Sequence, residues 1–161
     1  MRNRIVRLTA AAIATALVVL GSSSPSLAQS QWDQRYWNTM RKSDVEKVIA
    51  RLERNANDFR RGLDRWLDNS RIDGTRREDE YNSRVKAFEQ ATNRLRAEFD
   101  RRDKWWETRD QVNDVLEKAK PVSEIMRRGG RRYSRDLENQ WWTLRRQLNK
   151  LATTYRLPQI A

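Results

Sequence analysis

Apolar residues recur along this chain at alternating steps of three and four, the spacing of helices that each bury one stripe. The first stripe is Val45, Ile49, Leu52, Ala56, Phe59, Leu63 and Trp66, inside a predicted helix from Ser43 to Asn69. Ser43 and Glu46 have the spacing of a capping box, in which each side chain satisfies the other's free backbone amide. The turn Ser70-Arg71-Ile72-Asp73-Gly74 follows, and Thr75 with Glu78 offers a second box. Tyr81, Val85, Phe88, Thr92, Leu95 and Phe99 form the second stripe. Trp105, Val112, Leu116 and Ala119 form a third, centred roughly 125° around the axis from the second at about 100° per residue. One straight helix cannot turn both stripes to the same core. The pattern therefore predicts a turn between Asp100 and Lys104, with Asp103 as candidate N-cap. Pro121 is expected to end or kink the third helix, and Gly129-Gly130 to break the chain. Leu137, Trp141, Leu144, Leu148, Leu151 and Tyr155 repeat the rhythm once more, with Pro158 past their end.

The expected fold is all-α: an antiparallel up-and-down bundle of four helices over residues 43–157. The alternative is a longer three-helix, spectrin-like bundle in which residues 75–119 stay continuous. Ahead of the bundle, residues 29–42 carry Trp32, Tyr36, Trp37 and Met40, the pattern of a short amphipathic helix.

Residues 1–28 read as a secretory signal peptide. Arg2, Arg4 and Arg7 make a positive start, Leu8 to Leu20 is an apolar run, and Ser26-Leu27-Ala28 has the small residues of a cleavage site. The run is shorter than the roughly 20 residues a spanning helix needs. Cleavage after Ala28 and a periplasmic or secreted bacterial protein are the expectation, with no transmembrane segment left after cleavage. The start has no Arg-Arg pair for the twin-arginine route, and no Cys follows for a lipid anchor.

Composition narrows the chemistry. The chain has 161 residues and a formal net charge of +12, with no His and no Cys. Without them there are no disulfides, no zinc site built on Cys or His, and no catalytic dyad or triad that needs an imidazole or a thiol. No Gly-x-Ser-x-Gly elbow or phosphate-binding glycine loop is present. The expectation is a protein that is not an enzyme and holds no cofactor or metal.

Four features stand out. Arg127-Arg128-Gly129-Gly130-Arg131-Arg132 sets four guanidiniums around two residues without side chains. Arg grips phosphate and carboxylate in a bidentate fork, so Arg127, Arg128, Arg131 and Arg132 are candidate anion contacts. Seven Trp are present, of which Trp106 and Trp142 point away from their helices' apolar stripes and are candidate partner contacts. Glu107, Asp110, Asp114 and Glu117 share one helix face, a stripe expected to be solvated or paired with arginine. Residues 69–80 have a partial calcium-loop spacing from Asn69 through Gly74 to Glu80, but Arg71 and Arg77 stand where oxygens are wanted.

In size, charge and compartment the chain is similar to small periplasmic helical chaperones, though their Leu-Thr-x-x-Gln signature is absent from residues 29–161. The functional expectation is a binding, scaffold or chaperone-like protein of the envelope or the exterior. Its partner would be a protein or an anionic ligand, and a homodimer through the off-stripe tryptophans is compatible with the pattern. The alternative is a binder of nucleic acid or anionic lipid. A carboxylate-based hydrolase is the remote third choice.

Overall fold

In a computed structural model, residues 40–129 and 133–160 are described. The leader, Trp32, Tyr36, Trp37, Gly130, Arg131 and Arg132 lie outside the described residues. Those described form four α-helices and no strand: α1 (Lys42–Asp68), α2 (Arg76–Arg101), α3 (Arg109–Gly129) and α4 (Arg135–Thr154), with a 3₁₀ turn at Trp105–Thr108 leading into α3. They make a helical bundle in which α1 touches α2 and α4, and α3 touches α2 and α4. No helix among the described residues is long and apolar enough to cross a membrane.

The stripes become the core. Val45, Ile49, Leu52, Ala56, Phe59 and Leu63 of α1 are buried, as are Val85, Phe88, Leu95 and Phe99 of α2. Trp141 of α4 lies with its ring 5.6 Å from Phe59 and 6.5 Å from Phe88, so one indole ties three helices together. Each fully buried Leu or Phe contributes about 1.5–3 kcal/mol of transfer free energy, far more than any exposed ion pair.

Polar contacts set the register between helices. Lys42 Nζ donates to the Arg102 carbonyl, Arg96 meets Glu46 at 3.3 Å, and Arg60 meets Glu89 at 2.8 Å. Residues early in α1 thus meet residues late in α2. Asn55 Nδ2 donates to Gln147 Oε1 at 3.1 Å, joining α1 to α4. Arg94 of α2 meets Asp114 of α3 at 3.0 Å. Residues 102–104 interrupt the chain between α2 and the 3₁₀ turn, so the continuous 75–119 rod of the three-helix alternative is not formed.

Helix ends depart from the predicted chemistry in four places. Arg41, not Ser43, is the N-cap of α1, without a side-chain cap bond. Lys42 starts the helix earlier by anchoring to α2, and Glu46 faces Arg96, so the first capping box does not form. Thr75 is the N-cap of α2, yet its hydroxyl donates to the Ile72 carbonyl, while Glu78 accepts from Gly74 N at 2.6 Å. Lys104 rather than Asp103 caps the 3₁₀ turn. Pro121 sits inside α3. The helix continues because Val122, Ile125 and Met126 beyond the proline are buried, and their burial outweighs one missing backbone bond.

The last helix closes as its sequence implies. Ser134 Oγ accepts from Leu137 N at 3.2 Å, an N-cap bond, with Asp136 and Glu138 in the first turn where the helix dipole favours them. At the other end Leu157 N donates to Ala152 O and Arg156 N to Thr153 O, a Schellman closure with Arg156 at φ 50°. Asn149 then holds Ile160 through both its amide groups, at 3.0 and 3.3 Å.

Candidate anion-binding cleft

The end of the bundle where α1 stops, α2 starts, α3 stops and α4 starts carries a cleft of about 910 Å³. Its rings are Trp66 from the last turn of α1, Tyr81 from α2 and Tyr133 ahead of α4. Trp66 and Tyr133 lie 4.6 Å apart, tilted by 57°. Tyr133 is buried and donates its hydroxyl proton to the Ile125 carbonyl at 3.0 Å. Burial, and then the neighbouring Tyr81, push its phenol well above the usual range. Tyr133 therefore stays neutral and serves as a fixed wall.

Gly129 makes that wall possible. A Cβ there would sit 1.9 Å from a carbon of the Tyr133 ring, so a residue without a side chain is required. Opposite, the turn after α1 is pinned by its own polar groups. Asn69 Nδ2 donates to the Arg65 carbonyl at 2.7 Å, and Ser70 Oγ accepts from Ile72 N at 3.2 Å. Gly74 adopts φ 68°, a conformation that favours glycine.

Four guanidiniums line the cleft, those of Arg71, Arg77, Arg84 and Arg128, against the carboxylates of Glu80 and Glu124. Glu80 pairs with Arg84, and Glu124 with Arg128 at 3.5 Å. Arg71 and Arg77 face no carboxylate within ion-pair distance among the described residues. Two positive charges are thus left over in a recess whose walls are partly aromatic.

Of the four arginines singled out in the sequence, Arg127 and Arg128 are exposed at this same end of α3, and Arg128 lines the cleft. Arg131 and Arg132 fall outside the described residues. Trp106 lies at the far end of α3, about 30 Å along the axis from Arg127 at 1.5 Å per residue. It is half-buried, edge-on to Trp105 at 5.8 Å and beneath Lys104. Trp142 is 59% exposed with the Arg145 guanidinium 5.5 Å over its ring. Neither tryptophan of that pair lines the cleft.

The acidic stripe from Glu107 to Glu117 is partly paired and partly solvated. Asp114 pairs with Arg94, Glu117 with Lys120, and Glu107 and Asp110 are exposed. Asn69 and Glu80, the first and last positions of the partial calcium spacing, are engaged with the Arg65 carbonyl and Arg84. Among the described residues no cluster of acidic side chains could hold a metal ion.

Sequence reasoning missed Arg71, Arg77 and Arg84, which topology carries to Arg128 from a turn and a different helix. It also missed Tyr81 and Tyr133, and it read Trp66 as plain core. The one available signal was Tyr133 beside the arginine-glycine loop. No protein-family model matches the chain, and neither a curated protein nor a solved structure matches it.

Proposed function

We propose that this chain is exported, loses its leader after Ala28, and works without catalysis as an up-and-down antiparallel bundle that binds an anionic partner. Its role is that of a binding, scaffold or chaperone-like protein in the periplasm or outside the cell. One observation supports this reading above the others: guanidiniums outnumber carboxylates around a cleft walled by three rings, at the end that also bears Arg127. Cations at a recess with low-dielectric walls concentrate anions from solution. Aromatic walls add apolar contact that salt does not screen.

The test is titration of the purified chain against duplex DNA and against phosphatidylglycerol vesicles at two salt concentrations. An anion-binding protein binds at least one of them, and the affinity falls steeply with salt because bound counterions are released. Absent or salt-insensitive binding to both contradicts the proposal. A second, protein-directed contact is favoured at Trp142, because an indole that exposed beside an arginine is the composition of an interface anchor. Sedimentation of the wild type against Trp142→Ala tests whether a second copy is that partner: a dimer lost in the variant supports it, and identical monomers refute it.

A further inference from the structure

Resting on that reading, we infer that the cleft between the α1–α2 turn and the end of α3 takes a phosphate monoester carrying a flat, ring-bearing body. The charge count sets the anion. Glu80 and Glu124 are matched by Arg84 and Arg128, which leaves Arg71 and Arg77 without carboxylates among the described residues. A phosphate monoester carries about −1.5 to −2 near neutral pH and offers three acceptor oxygens. That matches two guanidinium forks, where a carboxylate would leave one of them unmatched.

Size sets the rest of the ligand. A volume of about 910 Å³ falls in the range of small-molecule sites and is far larger than an inorganic phosphate fills. The surplus space is walled by the half-buried rings of Trp66 and Tyr81, whose uncovered parts face the cleft, with Ile72 beside them. A planar group stacks on or against such rings, and an arginine over its other face adds a cation–π contact.

The backbone of the α1–α2 turn and the Tyr133 wall are also pinned before any ligand arrives. The turn bearing Arg71 is held by the Ser70 hydroxyl and by the Glu78 carboxylate on Gly74 N, and the Tyr133 wall by the Ile125 carbonyl and the absent Cβ of Gly129. The ordering cost of gripping a ligand then falls on the exposed Arg71 and Arg77 side chains rather than on the backbone that carries them.

The experiment is calorimetric titration of the full chain with adenosine 5′-monophosphate, adenosine and inorganic phosphate, in wild type and two double variants. Arg71→Gln/Arg77→Gln removes the unmatched cleft charges. Arg51→Gln/Arg54→Gln removes the same charge from exposed positions on α1 away from the cleft. All four residues are exposed, so both variants keep the core. The expected result is one nucleotide per chain, bound more tightly than either adenosine or phosphate. Affinity should fall about tenfold or more in the cleft variant and be unchanged in the control. No binding of the nucleotide, equal affinity for bare phosphate, or equal loss in both variants overturns the inference. Phosphatidylglycerol vesicles form a separate arm. Salt-dependent vesicle binding weakened equally by both double variants, with no nucleotide bound, would leave the general anion-binding proposal standing and remove the cleft from it.

Discussion

Tyr155 closes the end of the bundle opposite the cleft, and its removal should change stability with a sign that depends on pH. The residue is fully buried at the end of α4. Its hydroxyl donates to the Trp105 carbonyl at 3.0 Å and lies 2.9 Å from Thr108 Oγ1. Thr108 also donates to the same carbonyl, at 2.7 Å. In Tyr155→Phe those two partners keep each other, so no buried group is orphaned and the loss at neutral pH is about 1 kcal/mol. Alkali reverses the comparison. Burial raises the Tyr155 phenol from 10.0 to about 12, partly offset by its contact with the Thr108 hydroxyl. Below about pH 10 both the folded and unfolded chains hold the proton, and its contribution is fully present. Between about pH 10 and 12 the unfolded chain releases the proton while the folded chain keeps it, so the wild type loses about 1.4 kcal/mol per pH unit that the variant does not. The two stability curves should therefore cross a little below about pH 11, with Phe the more stable residue above the crossing. Tyr133, also raised, is present in both proteins and cancels in the difference. Urea denaturation followed by helical circular dichroism across the alkaline range measures both curves. Parallel curves would refute the reasoning, since they would mean that the Tyr155 phenol titrates alike in the folded and unfolded chains.

Four further outcomes follow from single contacts. Gly129→Ala should destabilise by about 2–3 kcal/mol, because the new methyl expels the Tyr133 ring and breaks its bond to Ile125; a denaturation midpoint equal to that of the wild type would show that the ring does not pack there. Pro121→Ala should stabilise by about 1–3 kcal/mol in the same assay, since it restores the backbone donor to the Glu117 carbonyl within α3. Gly62→Ala should stabilise by about 0.5–1 kcal/mol: the added methyl meets the end of the Gln140 side chain, which can swing away, and the helix gains from losing a mid-helix glycine. Trp142→Ala should leave the unfolding free energy of the monomer within about 0.5 kcal/mol of the wild type, since its indole is mostly exposed.

The apolar stripes were legible because helical burial has a period, and every residue from Val45 to Leu63 that kept the period is inside. The turn after α2 was legible for the same reason, as the change of phase between Phe99 and Trp105 had to be absorbed somewhere. Local rules failed where a distant contact overrode them. Ser43 lost its cap to the Lys42 anchor on Arg102, and Pro121 was tolerated because buried residues follow it. Arg127 and Arg128 of the arginine-glycine segment lie at the end of the bundle that carries the cleft, but a linear reading could not bring Arg71, Arg77 and Trp66 to them. Trp106 was read as pointing away from the core. It packs against the core from the edge of a 3₁₀ turn, whose tighter winding shifts the helical phase on which that reading depended.

The most direct measurement of the central claim is a map of backbone amide chemical shifts during titration with adenosine 5′-monophosphate. The account predicts saturable changes confined to the cleft end, in residues 66–84, 124–129 and 133, with the Trp105–Tyr155 end unaffected. Changes scattered along all four helices, or centred on Trp106 or Trp142, would contradict it.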